Sequence, residues 1–503
     1  MKKRGSVTIF FSLFMVVFLV LIQIMFRSVQ MAGGKIQAET GVEEGLYSVF
    51  AGYDRELFEK YHVFFLDGGY GTGMLQPGRM YQKVEDSFVK SCNPGYSLTG
   101  IRGENLWKCS KESGAVTGFT LASDQQGRAF KIQAIDYMKE TAGIQGIQLL
   151  LEKADAQKKI VETQEKEGGP EQIKEAQKSY EQAKEQAEQQ AAEQTVDSDG
   201  QQTAHQGSSQ LSAAGDQSGN FVNPLEVIGQ LQKRGILGLV LSADAEVSQG
   251  KFDGTGKMSR RNCEKGMGIL HYGENPDTIT GNLIFQEYMI KHLSCYGTQE
   301  DTEGIVYQLE YVISGKDTDQ ENLKTVVTEI LAMREAANLV YLMKNPGCQS
   351  QIHELALVIC TAIGFPALES VVSLALQAAW AFGESVLDVR QLLKGGKIPL
   401  IKTSESWMLS LENLDKLPQI LNQDQGKQQK GLSYQEYLRI LLGVGKSEQQ
   451  VLRTMDVAEQ TMRTMQGKEN FRLDLCVSYL QVEMEASCRE YHFTIQRDYG
   501  YEM

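Results

Sequence analysis

Positive charge is the plainest shortage in this sequence: Lys and Arg number 50 against 64 Asp and Glu, which leaves a formal net charge of -14. A protein that tracks phosphates needs a basic field, so neither nucleic-acid binding nor bulk attraction to an anionic lipid surface is expected, and the acidic excess reads as solubility. Cysteine is also scarce, at eight in 503 residues, and no two stand at the C-x-x-C spacing of zinc or redox sites. The six histidines are scattered singly, and no Ser, Cys or acid sits in a recognisable catalytic frame. The expectation is therefore a protein that is not an enzyme, with no cofactor, no metal and no small-molecule substrate.

The near-motifs fall short for physical reasons. Gly69-x-Gly71-x-Gly73 has the wrong third spacing for a dinucleotide loop, and Pro77 follows where a phosphate-binding helix should begin, so a turn is expected. Gly315-Lys316 is followed by Asp317 where a P-loop needs Ser or Thr. Asp317-x-Asp319-x-Glu321 opens like a calcium loop, but Asn322 replaces the glycine and Thr328 the glutamate, so helix capping accounts for these acids. His292 and Cys295 lie one helical turn apart, with Cys263 and His271 as possible additions, yet the spacing fits no standard zinc pattern. Cys348 with Cys360, Cys476 with Cys488, and Cys92 with Cys109 are candidate pairs in an oxidising compartment, with free buried thiols as the alternative.

What is present begins at the N-terminus. A basic head, Met1-Lys2-Lys3-Arg4-Gly5, precedes an uncharged stretch from Val7 to Phe26 whose only polar side chains are Thr8, Ser12 and Gln23. About 20 apolar residues match a hydrocarbon core roughly 30 Å thick. A cleaved signal peptide would show a shorter run, about 7–15 residues, and small residues at a cut site; Arg27-Ser28-Val29-Gln30-Met31 offers none. A retained single-pass anchor in the cell membrane is expected, with Lys2, Lys3 and Arg4 cytoplasmic, the C-terminal bulk extracellular, and Arg27 snorkelling at the far interface. Ala32, Ile36, Val42, Leu46, Val49, Tyr53 and Leu57 continue a helical rhythm.

The Gly5-Ser6-Val7-Thr8 start, with its basic head and membrane helix, resembles the TadE/TadG-like pseudopilins of the Tad (Flp) pilus apparatus. The resemblance implies cleavage by a prepilin peptidase between Gly5 and Ser6. A glutamate five residues past the cut helps such helices enter a pilus; that position is Phe10 here. Across most of its length the chain is similar to an uncharacterised family of membrane-anchored Gram-positive bacterial proteins with the same start. The similarity is carried by Tyr53-Asp54-Arg55-Glu56-Leu57-Phe58 leading to Val63-Phe64-Phe65-Leu66-Asp67, then Arg234 to Val240, Leu309 to Lys316, and Glu384 to Arg390. It implies a pilus or envelope context and no known activity.

Beyond residues 1–61, read as anchor and long helix, residues 62–133 read as strands and loops, with a strand from His62 to Leu66. Residues 134–194 are rich in Ala, Glu, Lys and Gln, interrupted by Gly168-Gly169-Pro170. Ile173, Ala176, Tyr180, Ala183 and Ala187 form a coiled-coil seam, so a protruding antiparallel helical hairpin is expected. Residues 195–220 are polar and Gly/Ser-rich, a flexible linker. Residues 221–503 read as the main α+β part of the head. Asn223 and Thr318 cap helices, Leu283 to Cys295 is a helix, Tyr307 to Ile313 a strand, and Phe471 to Tyr501 alternates as strands do. In the hydrophobic run Leu355 to Phe382, Glu369 and Pro366 sit badly in lipid, where a central carboxylate costs roughly 2.5–3.5 kcal/mol. Two buried helices meeting at Gly364-Phe365-Pro366 are expected in place of a second span.

The fold class expected is thus α+β, helix-rich, with the N-terminal transmembrane helix continuing into a long pilin-like helix. The expected role is a structural or assembly component of a Tad-type pilus or related envelope machine, whose partners are the lipid bilayer and other proteins of that assembly. The alternative is a membrane-tethered extracellular binding module outside any filament.

Overall fold

The structure is a computed structural model and describes residues 4–93, 105–141, 223–242, 245–252, 256–268, 275–298, 304–363, 368–422 and 430–501, with the isolated positions 143 and 146. The chain forms two compact units built from separated stretches: a sheet unit from Met1–Gly143, Asp253–Tyr288 and Ser447–Met503, and a helical unit from Ile144–Phe252 and Met289–Lys446. The architecture is helix-rich α+β with one small antiparallel sheet and an apolar N-terminal helix.

In the sheet unit, α1 is one helix of 47 residues, Arg4–Phe50. Its second half buries Ala38, Val42, Leu46 and Val49 completely or nearly so, a stripe stepping by four, four and three residues along one helix face. Each such Val or Leu contributes roughly 1.5–3 kcal/mol on burial. The short helix α2 (Arg55–Tyr61) is capped by the Asp54 side chain, which accepts from the Leu57 amide. Then come β1 (Leu66–Asp67), α3 (Pro77–Cys92), β2 (Cys109–Leu121) and a helix α4 over 124–141. The sheet is completed by β3 (Cys476–Cys488) and β4 (Tyr491–Gly500). β3 is central: β2 pairs antiparallel along one side, from Cys109 opposite Cys488 to Leu121 opposite Val477, while β4 and the two residues of β1 pair along the other. α1 and α3 pack together, and α1 runs along β4, so the core lies between helices and sheet.

The helical unit centres on three long helices: α5 (Asp319–Lys344), α6 (Pro346–Ile363) and α7 (Glu369–Leu393). Thr318 caps α5 by accepting from the Glu321 amide, and Asn223 caps the helix Pro224–Gln232, both as expected from their side-chain oxygens. The C-terminal alternation is two strands, β3 and β4, also as expected. The run from Leu355 to Phe382 falls on α6 and α7, which pack against one another; the joint at Gly364-Phe365-Pro366 lies outside the described residues.

Several expectations need correction. The 62–133 segment expected as strands and loops holds the helices α3 and α4 beside β1 and β2. Pro77 opens α3 at its first turn, where a missing N–H costs nothing, and Met80, Val84, Phe88 and Cys92 bury one face at steps of four. The strand expected from His62 shrinks to Leu66–Asp67, because His62 takes the left-handed conformation (φ 52°) that ends α2. Tyr307 to Ile313 is not a strand: Gln308–Ser314 is helical and closed by Gly315 at φ 70°, and packing against α5 overrides the β preference of a short aromatic and β-branched run. The hairpin expected over 134–194 continues α4 at its start, and the remainder, with the 195–220 linker, lies outside the described residues.

Candidate membrane anchor and its seat

The first half of α1 is an apolar rod on which none of the described residues packs. Every apolar side chain from Val7 to Phe26 is exposed, Phe10 to 68%. Soluble surfaces rarely carry contiguous apolar patches above a few hundred Å². The helix is long and apolar enough to cross a membrane, with a mean hydropathy of 2.8 in its most apolar window. Its Ser12 hydroxyl is satisfied internally, donating to the Ile9 carbonyl at 2.9 Å. The proposed processing residues Gly5 and Ser6 lie in the first turn of α1, and Arg4 is its first residue; Lys2 and Lys3 lie outside the described residues.

The second half is clamped. A Cβ on Gly45 would lie 2.8 Å from the Val84 carbonyl oxygen of α3, and one on Gly34 would lie 2.8 Å from the Cys488 Cβ, so small residues permit the close approach. Arg497 of β4 binds Glu39 at 3.1 Å and Glu43 at 2.7 Å, and Gln37 donates to the Ser91 carbonyl of α3 at 3.1 Å. Cys109 and Cys488 form a disulfide across the β2–β3 pair beside Gly34. This replaces the pairings proposed from sequence: Cys92, Cys348, Cys360 and Cys476 are free, because strand register places Cys109 opposite Cys488. At the other end of α1, Tyr47, Phe50, Tyr53, Phe64, Tyr499 and Tyr501 line an open cleft of about 520 Å³.

Away from the anchor, the charged clusters are internally matched. In the sheet unit, Arg261 holds Glu459 at 2.6 and 2.5 Å and also pairs with Asp474. Burial alone raises the Asp474 carboxyl, but bonds from Arg472 and Arg261 hold it below its ordinary range. In the helical unit Arg334, Glu384, Asp388 and Lys402 are all fully or almost fully buried. Arg334 donates twice to Asp388 at 3.0 Å and to the carbonyls of Pro399 and Leu400. Lys402 bridges Glu384 at 2.6 Å and Asp388 at 2.7 Å. Two cations on two anions pin the 399–409 loop to α7, whose Glu384 also accepts from the Met408 and Leu409 amides.

The near-motifs resolve into local structure. Asp67 accepts from the Gly69 and Gly71 amides at 2.9 and 2.8 Å, filling with its own carboxylate the nest an anion would occupy. Asp319 accepts from the Val306 and Tyr307 amides, both at 3.0 Å, and from the Ser248 hydroxyl at 2.6 Å. Among the described residues no group of three or more His, Cys, Asp or Glu could hold a metal. Cys295 lies 3.2 Å from the Thr298 hydroxyl and burial pushes its thiol up to about 12; burial likewise pushes Cys263 up to about 11. His271 lies outside the described residues. Sequence reasoning missed the disulfide, the aromatic cleft and the buried charge quartet. The quartet left one signal, Glu384 and Asp388 four apart in an otherwise apolar run.

No curated protein and no solved structure matches the chain. The profile of a family of unknown function, DUF5702, matches residues 214–488. That span holds the buried quartet and the whole of β3 but not α1, and because it covers more than half of the sequence, the chain belongs to the DUF5702 family.

Proposed function

We propose that this protein is a single-pass, pseudopilin-like structural or assembly component of a Tad-type pilus or a related envelope machine, held in the bilayer by α1 with its head outside the cell. One observation carries the reading: a single unbroken helix is bare and apolar over Val7–Phe26 and seated on a sheet over its second half. A helix so divided transmits position from lipid to head as one rigid body, which a structural subunit needs and a flexibly tethered domain does not. The Cys109–Cys488 disulfide supports a head on the oxidising side, and three basic residues before the apolar run support a cytoplasmic N-terminus. Mass spectrometry of the protein from its native membrane tests the processing step: a mature chain beginning at Ser6 is expected. An intact Met1, together with native immunoprecipitation that recovers no pilus or secretion component, overturns the assembly reading.

A second reading has its own observation. Phe10, which stands at the glutamate position of pilus-entering helices, is exposed and apolar, so α1 carries no charge there to register it against a neighbouring subunit. That favours a tethered binding module that stays in the bilayer, and the intact Met1 is its expected result.

A further inference from the structure

We propose that the head makes a second contact with the bilayer, through the tip formed by the turn before β2 and the β3–β4 turn, and that the occupant of this surface is the headgroup zone of the membrane α1 crosses. The inference rests on the reading that α1 is a membrane span, and its test separates the two.

The tip is placed by α1 itself. The Tyr491 hydroxyl lies 3.5 Å from the Arg27 carbonyl, one residue past the apolar run. The Trp107 ring lies directly over Gly33, where a Cβ would meet it at 2.5 Å, and Cys488 sulfur is 3.4 Å from the Gly34 carbonyl. From Phe26 to Gly33 is seven residues, a rise of about 10 Å. The headgroup layer beyond the hydrocarbon is itself roughly 5–8 Å deep on each side. A span that puts Phe26 at the hydrocarbon boundary therefore sets the Tyr491 hydroxyl within the headgroup layer and the Trp107 ring at its outer margin.

The chemistry of the tip suits that level. Leu106 is 67% exposed at the apex of its turn with no core to fill. Trp107 and Tyr491 are half-buried, amphipathic rings of the kind that settle at membrane interfaces. Lys108 and Arg489 are exposed beside them, with long stems that can lie along acyl chains while their charges reach phosphates. The tip is also stiff. Asn105 both donates to and accepts from the Cys109 backbone at 2.8 and 2.9 Å, Arg489 donates to the Leu106 carbonyl at 3.3 Å, and the Cys109–Cys488 disulfide joins the two turns. On α1, between the apolar run and Gly33, Val29 and Met31 also remain exposed. Two contacts, one through the bilayer and one upon it, fix the sheet unit's rotation about the helix axis, which a lone span leaves free.

The test uses the full-length protein in vesicles of phosphatidylethanolamine and phosphatidylglycerol, with a photoreactive benzophenone amino acid installed singly at Leu106, Phe18 or Met74. Met74 is exposed on the loop beside the start of β3, roughly 40 Å along the strand from the tip. Lipid adducts are expected at positions 106 and 18 and not at 74. Adducts at 18 alone overturn the second contact and leave the span standing; no adducts at 18 or 106 overturn both; equal adducts at 106 and 74 also overturn the second contact. A probe-free measurement runs in parallel. Headgroup-level nitroxide lipids should quench part of the tryptophan emission of the native protein and none of that part in Trp107→Phe, and equal quenching in the two overturns the proposal.

Discussion

Among the described residues, two helices are long and apolar enough to cross a bilayer, and their surroundings are opposite. The N-terminal window of α1 has a mean hydropathy of 2.8 and none of it is buried; α7, at 1.3, is 67% buried inside the helical unit. The difference lies in where each helix keeps its polar groups. From Val7 to Phe26, α1 has no charge to satisfy, and none of the described residues covers it. α7 carries Glu384 and Asp388 inward, and α5 and the loop after α7 supply Arg334 and Lys402 to meet them. Hydropathy counts side chains, whereas a core helix is defined by the partners it specifies.

The largest effect that would break this comparison is removal of one member of the quartet. Asp388→Ala leaves Arg334 and half of Lys402 buried without a counter-charge, and breaking a buried pair in this way costs about 3–5 kcal/mol. Denaturant unfolding followed through Trp380 and Trp407, both in the helical unit and stacked edge to face at 5.6 Å, should show the loss. If the midpoint is unmoved, the quartet does not define α7 as a core helix. The mirror-image pair of variants comes next. Val17→Arg touches nothing in the head, so its unfolding should be unchanged, while membrane retention weakens by roughly 2.5–3.5 kcal/mol on insertion scales. Leu376→Arg, at a fully buried position of α7, should unfold the helical unit and leave fractionation with the membrane intact. Measuring both properties on both variants sharpens the contrast; a Val17→Arg protein that stays in the membrane as firmly as the native one collapses it.

Much of this was legible in the sequence, for reasons tied to particular residues. The apolar run of α1 and the caps at Asn223 and Thr318 are local signals, complete within a few residues of where they act. α3 was not read from the sequence: the four-residue spacing of Met80, Val84, Phe88 and Cys92 is there, but Pro77 reads as a breaker unless it is recognised as the first helical residue. The helix Gln308–Ser314 was hidden because a seven-residue segment shows too little periodicity to separate helix from strand. The seat of α1 could not be read at all. Cys109 finds Cys488 across 379 residues, and Trp107 finds Gly33 only once β2 is in register, so both depend on tertiary pairing that spacing does not encode. The buried quartet depends likewise on α5 lying against α7.

Another fully buried carboxylate refines the contrast, because among the described residues no cation is paired with it as with Glu384 and Asp388. Glu310, in the helix Gln308–Ser314, is fully buried; it accepts from the Tyr296 amide and the Tyr434 hydroxyl, both at 2.9 Å, and burial pushes its carboxyl up to about 7. Tyr307, Cys295 and Asp319 are the other titratable groups nearby, and none supplies positive charge. Since the folded form binds the proton more tightly than the unfolded form, the contribution is fully present below the ordinary carboxyl value of 4.5 and is lost as pH rises to about 7. The helical unit should therefore weaken by on the order of 1–3 kcal/mol across that window. Glu310→Gln keeps an acceptor for both donors and removes the titration, so its thermal midpoint should exceed that of the native protein at pH 8 and match it near pH 4.5. Equal midpoints at both values would mean that Glu310 is accommodated as an ion without a cation, and that matched charge is not what keeps carboxylates tolerable inside this unit.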